Sequence, residues 1–329
     1  CTDKHEIYFL SLISKNIHLY SEMIVANAII RGDRNKLLSF KKISNPVTLQ
    51  VGGSNPDELA EACKISEDYG YKEINLNLGC PSKKVQKNKF GACLMQEPNL
   101  VAKCIEAMTK STKLPITIKT RIGYNEVENF EFLKSFIQTT KGAGSQKFII
   151  HARKALLKKL SPKENLNIPP LKYEFVYKLK EYFKNDEIII NGGIKTTEDI
   201  KNHLGRYIDS KANGDGFYYI GSKPNFTELV NGSMKVLTGL DWLGLPIHYP
   251  EKLIDMCLAN KPSEAGCDLV DYVYVLYRCS LQTEYKKREI VSYLENFYEL
   301  IFKHYHSDDG GFSYGINQSQ MLYYGVAIS

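Results

Sequence analysis

"VTLQVGGSNPDELAEACKISEDYGYKEINLNLG", residues 47–79, decides the fold class. It opens on a short apolar, β-branched run (47–53), passes Asn55 and Pro56 at the N-cap and first position of an amphipathic helix, and returns to a second apolar run (73–79). A strand, a helix and a strand joined this tightly imply parallel pairing with the helix outside the sheet.

The same unit repeats in both directions. Further candidate strands are HLYSEMI (18–24), ITIKTRIG (116–123), FIIHAR (148–153), EIIINGG (187–193) and GFYYIG (216–221), with helical patterns such as EPNLVAKCIEAMTKS between them. A closed β/α barrel needs eight strands, and the residues before 18–24 read as a helix, DKHEIYFLSLIS. The expectation is an α/β fold, a (β/α)8 TIM barrel whose first strand is missing from this chain, with an open doubly wound sheet as the structural alternative. After Gly221 the alternation stops. Residues 1–223 are expected to form the barrel, 224–306 a small α-helical domain, and 307–329 a poorly ordered tail.

No run of about 18 apolar residues is present, which argues against a membrane span. The opening CTDKHEIYFL is neither a signal nor a transit peptide. Eight cysteines are scattered without C-x-x-C or metal-ligand spacing, so no metal is expected, and they read as reduced thiols of an intracellular, cytoplasmic or organellar, protein. Charge is uneven: residues 224–329 hold 8 Lys and Arg against 13 Asp and Glu, leaving 35 against 24 for residues 1–223. A basic first part suggests an anionic partner, with nucleic acid foremost.

In a β/α barrel the active site lies at the C-terminal ends of the strands. Those ends carry Gln50, Asn77 with Cys80, Lys119 with Arg121, His151 with Arg153, the Asn191-Gly192-Gly193 turn, and Gly221 with Ser222. Gly192 and Gly193, between a strand and a helix starting near Thr196, expose backbone N–H groups to an anion; with Gly221 on the next strand they favour a phosphorylated cofactor over a plain tight turn. Lys119 in a barrel mouth needs a negative group, either an electron-rich flavin edge or a neighbouring carboxylate. His151 is a site candidate by position, against the alternative of a hydrogen-bonded core histidine. Cys80, between Gly79 and Pro81, is a proton donor to carbon or, alternatively, a nucleophile.

The stretches INLNLGCPSKKVQKNKFGACLM, TIKTRIG, IIHARKALLKKLSPKENLNIPPLKYEFVYKLK and IINGGIKT closely resemble the tRNA-dihydrouridine synthases, in particular the branch acting on D-loop uridines. The resemblance runs from about residue 1 to 205 and fades beyond Gly221. It implies an FMN barrel with a helical domain that uses NADPH, delivers hydride to C6 of a tRNA uracil, and protonates C5 from a cysteine. On this resemblance Cys80 is the proton donor, while Gln50, Lys119 and His151 contact the flavin. Asn191, Gly192 and Gly193, with Gly221 and Ser222, lie on the phosphate side, and Asn77 contacts the target base. Lys83, Lys84, Lys87, Lys89, Arg153, Lys154, Lys158 and Lys159 are the residues expected to face RNA. The expected partner of a monomeric chain is tRNA, with no membrane.

The chain departs from the family pattern at several points. It starts after the family's Ala-Pro-Met strand; Ser222 and Leu166 stand where arginines are usual; and the acidic helical domain lacks the Arg-rich helix that grips tRNA. These departures leave two further readings, an RNA-binding relative of weak or no activity and a flavin barrel reducing a small pyrimidine.

Overall fold

Six parallel strands run in sequence order, each hydrogen-bonded to the next: β1 (Leu19–Val25), β2 (Val47–Gly52), β3 (Glu73–Leu78), β4 (Ile116–Arg121), β5 (Lys147–His151) and β6 (Glu187–Asn191). The computed structural model describes residues 2–157, 160–263, 266–307 and 310–313. A doubly wound sheet starts in its middle and reverses at a switch point, so the unreversed order excludes that alternative.

Helices alternate with the strands. α1 (Lys4–Ile13) precedes β1, and α2 (Ala26–Arg31) with α3 (Arg34–Leu38) follows it. α4 (Pro56–Ser66) links β2 to β3, α5 (Lys83–Lys87) and α6 (Pro98–Ser111) lie between β3 and β4, and α7 (Phe130–Gly142) links β4 to β5. α8 (Pro162–Asn167) and α9 (Tyr173–Tyr182) lie between β5 and β6. The architecture is a TIM-barrel-like α/β fold followed by a helical C-terminal region. The capping read from the sequence is present: the Asn55 side chain accepts from Asp57 and Glu58 N–H, with Pro56 at the first helical position.

Alternation sorts each strand into two faces. Ile74, Leu76 and Leu78 of β3 join Leu59, Ala62, Val101 and Ile105 of α4 and α6 in the main core. Glu73, Asn75 and Asn77 are buried on the other face, opposite Thr48 and Gln50 of β2 and Thr117 and Lys119 of β4. β3 is therefore buried throughout yet half polar, which requires internal hydrogen-bond partners. At its start Glu73 accepts from Thr48 (3.2 Å), Thr117 (2.8 Å) and Lys147 Nζ (2.7 Å). On the edge of the sheet, Thr2 forms a parallel bridge with Ser21 of β1.

The chain divides into two compact units, Cys1–Gly193 and Ile194–Ser329, so the boundary falls earlier than the residue 223 read from the sequence. The second unit contains α10 (Thr197–Asp209), α11 (Phe226–Leu243), α12 (Pro250–Leu258), α13 (Gly266–Ser280) and α14 (Lys287–Phe302). β7 (Tyr305–His306) pairs with β8 (Gly311–Phe312) in a short antiparallel hairpin; beyond 313 the expected tail lies outside the described residues.

One strand expectation is corrected. Residues 216–221 do not join the parallel sheet; Tyr218 makes a single antiparallel bridge to Ala212. The reason is local. The Asn213 side chain donates to the carbonyls of Lys211, Phe217 and Tyr219, occupying acceptors that a strand would offer its neighbour. Phe217 and Tyr218 then bury themselves among Leu229, Leu253 and Leu276 of the second core. Aromatic, β-prone residues thus serve a helical core.

The Glu73–Lys147 pair supplies a stability test. Glu73→Ala leaves the Lys147 ammonium with only Glu187, 3.5 Å away, and removes the acceptor of Thr48 and Thr117, so it is expected to lower the unfolding free energy by about 2–4 kcal/mol in urea titrations. Adding Lys147→Met should recover part of the loss, since it removes the ammonium while Thr48 and Thr117 still lack their acceptor.

Candidate active site

The polar face of the sheet carries a continuous ladder of hydrogen bonds toward the strand C-termini. Thr117 Oγ1 donates to Glu73, Asn75 Nδ2 donates to Thr117 (2.9 Å), Gln50 Nε2 donates to Asn75 Oδ1 (3.1 Å), and Asn77 Nδ2 donates to Gln50 Oε1 (2.8 Å). At the top, Asn77 Oδ1 accepts from the backbone N–H of Gly79 (3.1 Å) and Cys80 (3.0 Å). An acceptor-only carboxylate at one end and backbone donors at the other leave each amide one orientation. Gln50 and Asn77, expected to serve cofactor and base, are held by this ladder.

Cys80 follows β3 and is partly buried. Its carbonyl accepts from Ala92 N–H at 2.9 Å, and Gly91, at φ +74°, passes so close that a Cβ there would lie 2.6 Å from the Cys80 oxygen. Only glycine combines that φ with that approach. Ser82 caps the short basic α5, and Gln86 Nε2 donates to the Pro81 carbonyl at 2.7 Å. Lys83, Lys84, Lys87 and Lys89 are all exposed.

Lys119 lies opposite Asn77 on the neighbouring strand, and Arg121 lies opposite His151. Lys119 makes no hydrogen bond or ion pair among the described residues, so the neighbouring-carboxylate alternative is excluded. Burial, reinforced by Arg121 and opposed by Cys80, pulls its ammonium down to about 8. His151 is buried with Nδ1 unpartnered, and burial together with Arg121, Lys119 and Arg153 pulls it down to about 3, so it is neutral at physiological pH. Gly192 (φ +100°) packs so tightly that a Cβ would sit 2.9 Å from that imidazole. Arg153 donates to the Pro169 carbonyl at 2.6 Å and keeps a buried, unpartnered Nε. Cations and orphaned polar nitrogens at one mouth, with no carboxylate on Lys119, fit a planar, electron-rich, anionic group such as a reduced flavin.

Other expected residues have different surroundings. Gly221 and Ser222 are exposed in the second unit and lie outside the sheet. The helix start near Thr196 is closed by its own side chains, since Asp199 accepts the N–H groups of Lys195 and Thr196 and leaves an anion little to bind there. Lys154 pairs with Glu128 at 3.2 Å, as does Lys172, so it is not a free phosphate contact. Lys158 and Lys159 lie outside the described residues. Leu166 is half exposed.

Two residues given no role in the sequence organise the mouth. Asn165 is fully buried: Oδ1 accepts from Leu156 N–H at 2.7 Å, and Nδ2 donates to the carbonyls of Leu156, Leu160 and Ser161. Arg121 is only 2 % exposed and donates to the carbonyls of Gly79, Lys154 and Asn165. An asparagine inside the pattern SPKENLN offers no periodicity by which to find it.

Residues 1–208 match the family model for dihydrouridine synthase. The chain belongs to the dihydrouridine synthase family. Among curated members, the tRNA-dihydrouridine(20/20a) synthase of Synechocystis sp. is 50 % identical over 217 residues, 66 % of this chain and 65 % of that protein. The proteins of the same name from Shewanella oneidensis and Escherichia coli K12 are 51 % and 52 % identical over 203 and 204 residues. These cover 62 % of this chain and 60 % and 59 % of the relatives. The chain thus spans somewhat under two thirds of the length of the curated relatives it matches. No helix of the described residues is long and apolar enough to cross a membrane.

Lys119 gives the site a measurable cost. The unfolded chain holds the Lys119 proton more tightly, with a usual value of 10.5 against about 8 in the fold, so stability rises with pH between those values. Lys119→Met is expected to raise the unfolding free energy at pH 7 by about 2–3 kcal/mol, a gain that shrinks toward zero near pH 10.5 in urea titrations.

Proposed function

We propose that this chain carries the active site of an FMN-dependent tRNA-dihydrouridine synthase acting on D-loop uridine at position 20 or 20a, with NADPH as reductant. The specificity follows the names of the relatives, each a tRNA-dihydrouridine(20/20a) synthase. The observation that carries the reading is Cys80: a thiol whose flanking backbone groups are both hydrogen-bonded, two residues past the strand that pairs with the one carrying Lys119, whose ammonium has no partner among the described residues.

When FMN is bound and reduced, the chemistry supplied at the mouth is hydride transfer to C6 of a uracil. Lys119 and His151 would hold the flavin, with Gln50 beside them and the Asn191-Gly192-Gly193 turn toward the phosphate side. Asn77 would hold the base edge, with its amide orientation set by the ladder. Hydride addition at C6 builds enolate-like charge on the uracil, and the Cys80 thiol gives its proton to C5, which leaves a thiolate and a saturated C5–C6 bond.

The target base must leave its stack, at a cost of a few kcal/mol that is lowest in a loop. Exposed Lys83, Lys84, Lys87 and Lys89 would take RNA phosphates beside that mouth, with Arg153 nearer the base. Lys154 joins them only by leaving Glu128.

The test is dihydrouridine formation in unmodified tRNA, with NADPH and FMN, read by nucleoside mass spectrometry. Cys80→Ala is expected to lose at least about a hundredfold in rate, in the range for removing a general acid. Product from the variant at the parent rate would reject the proton-donor role, and turnover of free uridine in place of tRNA would favour a small-pyrimidine reductase. Affinity for tRNA should fall steeply with salt. Replacing the four α5-region lysines by alanine should flatten the log–log slope by about one unit for each phosphate no longer neutralised. An unchanged slope would remove these lysines from the interface.

A further inference from the structure

Arg121 ends β4 almost wholly buried, and among the described residues no carboxylate pairs with it. A buried guanidinium without a counter-charge is costly, so its donors must be satisfied elsewhere. Its Nε donates to the Gly79 carbonyl at 2.9 Å, and its Nη1 donates to the carbonyls of Lys154 and Asn165, each at 3.1 Å. Three backbone acceptors, one just past β3, one after β5 and one in α8, meet one planar fork.

The Gly79 carbonyl belongs to the peptide that also carries the Cys80 N–H. That peptide is held on both sides, its oxygen by Arg121 and its N–H by Asn77 Oδ1. The next peptide is held as well, because the Cys80 carbonyl accepts from Ala92 N–H. With both planes flanking the Cys80 Cα anchored, only the side-chain torsion is left to aim the thiol.

We infer that Arg121 is a positioning residue: its fork locks the Gly79–Cys80 peptide to the Lys154 carbonyl and to the Asn165 carbonyl of α8, so that the backbone carrying the thiol and these two points hold a single arrangement. The inference rests on the proposed role of Cys80 for its functional consequence, but the locking itself is independent of any activity. Lysine cannot replace the fork, since one ammonium lacks the planar spread needed to reach Gly79, Lys154 and Asn165 together.

Hydrogen–deuterium exchange of the full chain, with Arg121→Lys and Arg121→Met beside the parent, tests the lock. Peptides covering 77–92 and 160–168 should lose protection together, by about ten- to hundredfold, the ratio expected on losing hydrogen bonds from a charged donor. A peptide over β2 should be unchanged. With tRNA as substrate, Arg121→Lys should lower kcat by a similar factor and leave KM within about twofold. Parent-like protection of both segments in Arg121→Lys, or protection lost in only one of them, would overturn the lock. A raised KM at unchanged kcat would make Arg121 a substrate contact instead. If Arg121→Met unfolds, Arg121→Lys carries the test alone, because it keeps charge and most of the volume. Retained activity in Cys80→Ala would overturn the reading of the site while leaving the exchange result to judge the lock.

Discussion

A buried carboxylate organises the polar face of this sheet. Glu73, fixed by Lys147, accepts from Thr117, and from there each amide has one orientation available up to Asn77 and the Cys80 N–H. Ladders of this kind specify structure only when every member is satisfied, because an unpaired amide in that interior costs as much as the bond contributes. The geometry at the mouth is therefore tied to a charge pair at the opposite end of the strands.

The mouth itself works against stability. Lys119 and Arg121 sit together with no carboxylate on either among the described residues, and His151 is held neutral beside them. A fold selected only for stability would neutralise or remove that charge. Retaining it makes sense where an anionic group completes the site, and the proposed chemistry supplies both a flavin and a thiolate left after proton transfer. The two cations divide the work: Arg121 spends its donors on backbone carbonyls, and Lys119 keeps its own free.

The second unit shows how a shared local signal takes a different tertiary use. GFYYIG alternates and is rich in β-prone residues, like the strands before it. Its carbonyls are engaged by Asn213 and its rings are buried with α11, α12 and α13. Pattern alone cannot distinguish an aromatic segment that pairs with a sheet from one that plugs a helical core, since both bury the same side chains.

The sequence by itself determined the six-strand succession, the capped helix after β2, the position of Cys80 at a strand end and the family, because short-range periodicity, caps and dense motifs are local properties. Tertiary structure decided which polar residues work as free groups and which as struts. Lys154 and Lys119 look equally available in the chain, yet Glu128 occupies one and nothing among the described residues occupies the other. Asn165 and the backbone role of Arg121 were also invisible, since their partners are backbone groups, which leave no mark on residue identity. Only folding brings those acceptors to one guanidinium, and that convergence fixes the backbone at the cysteine.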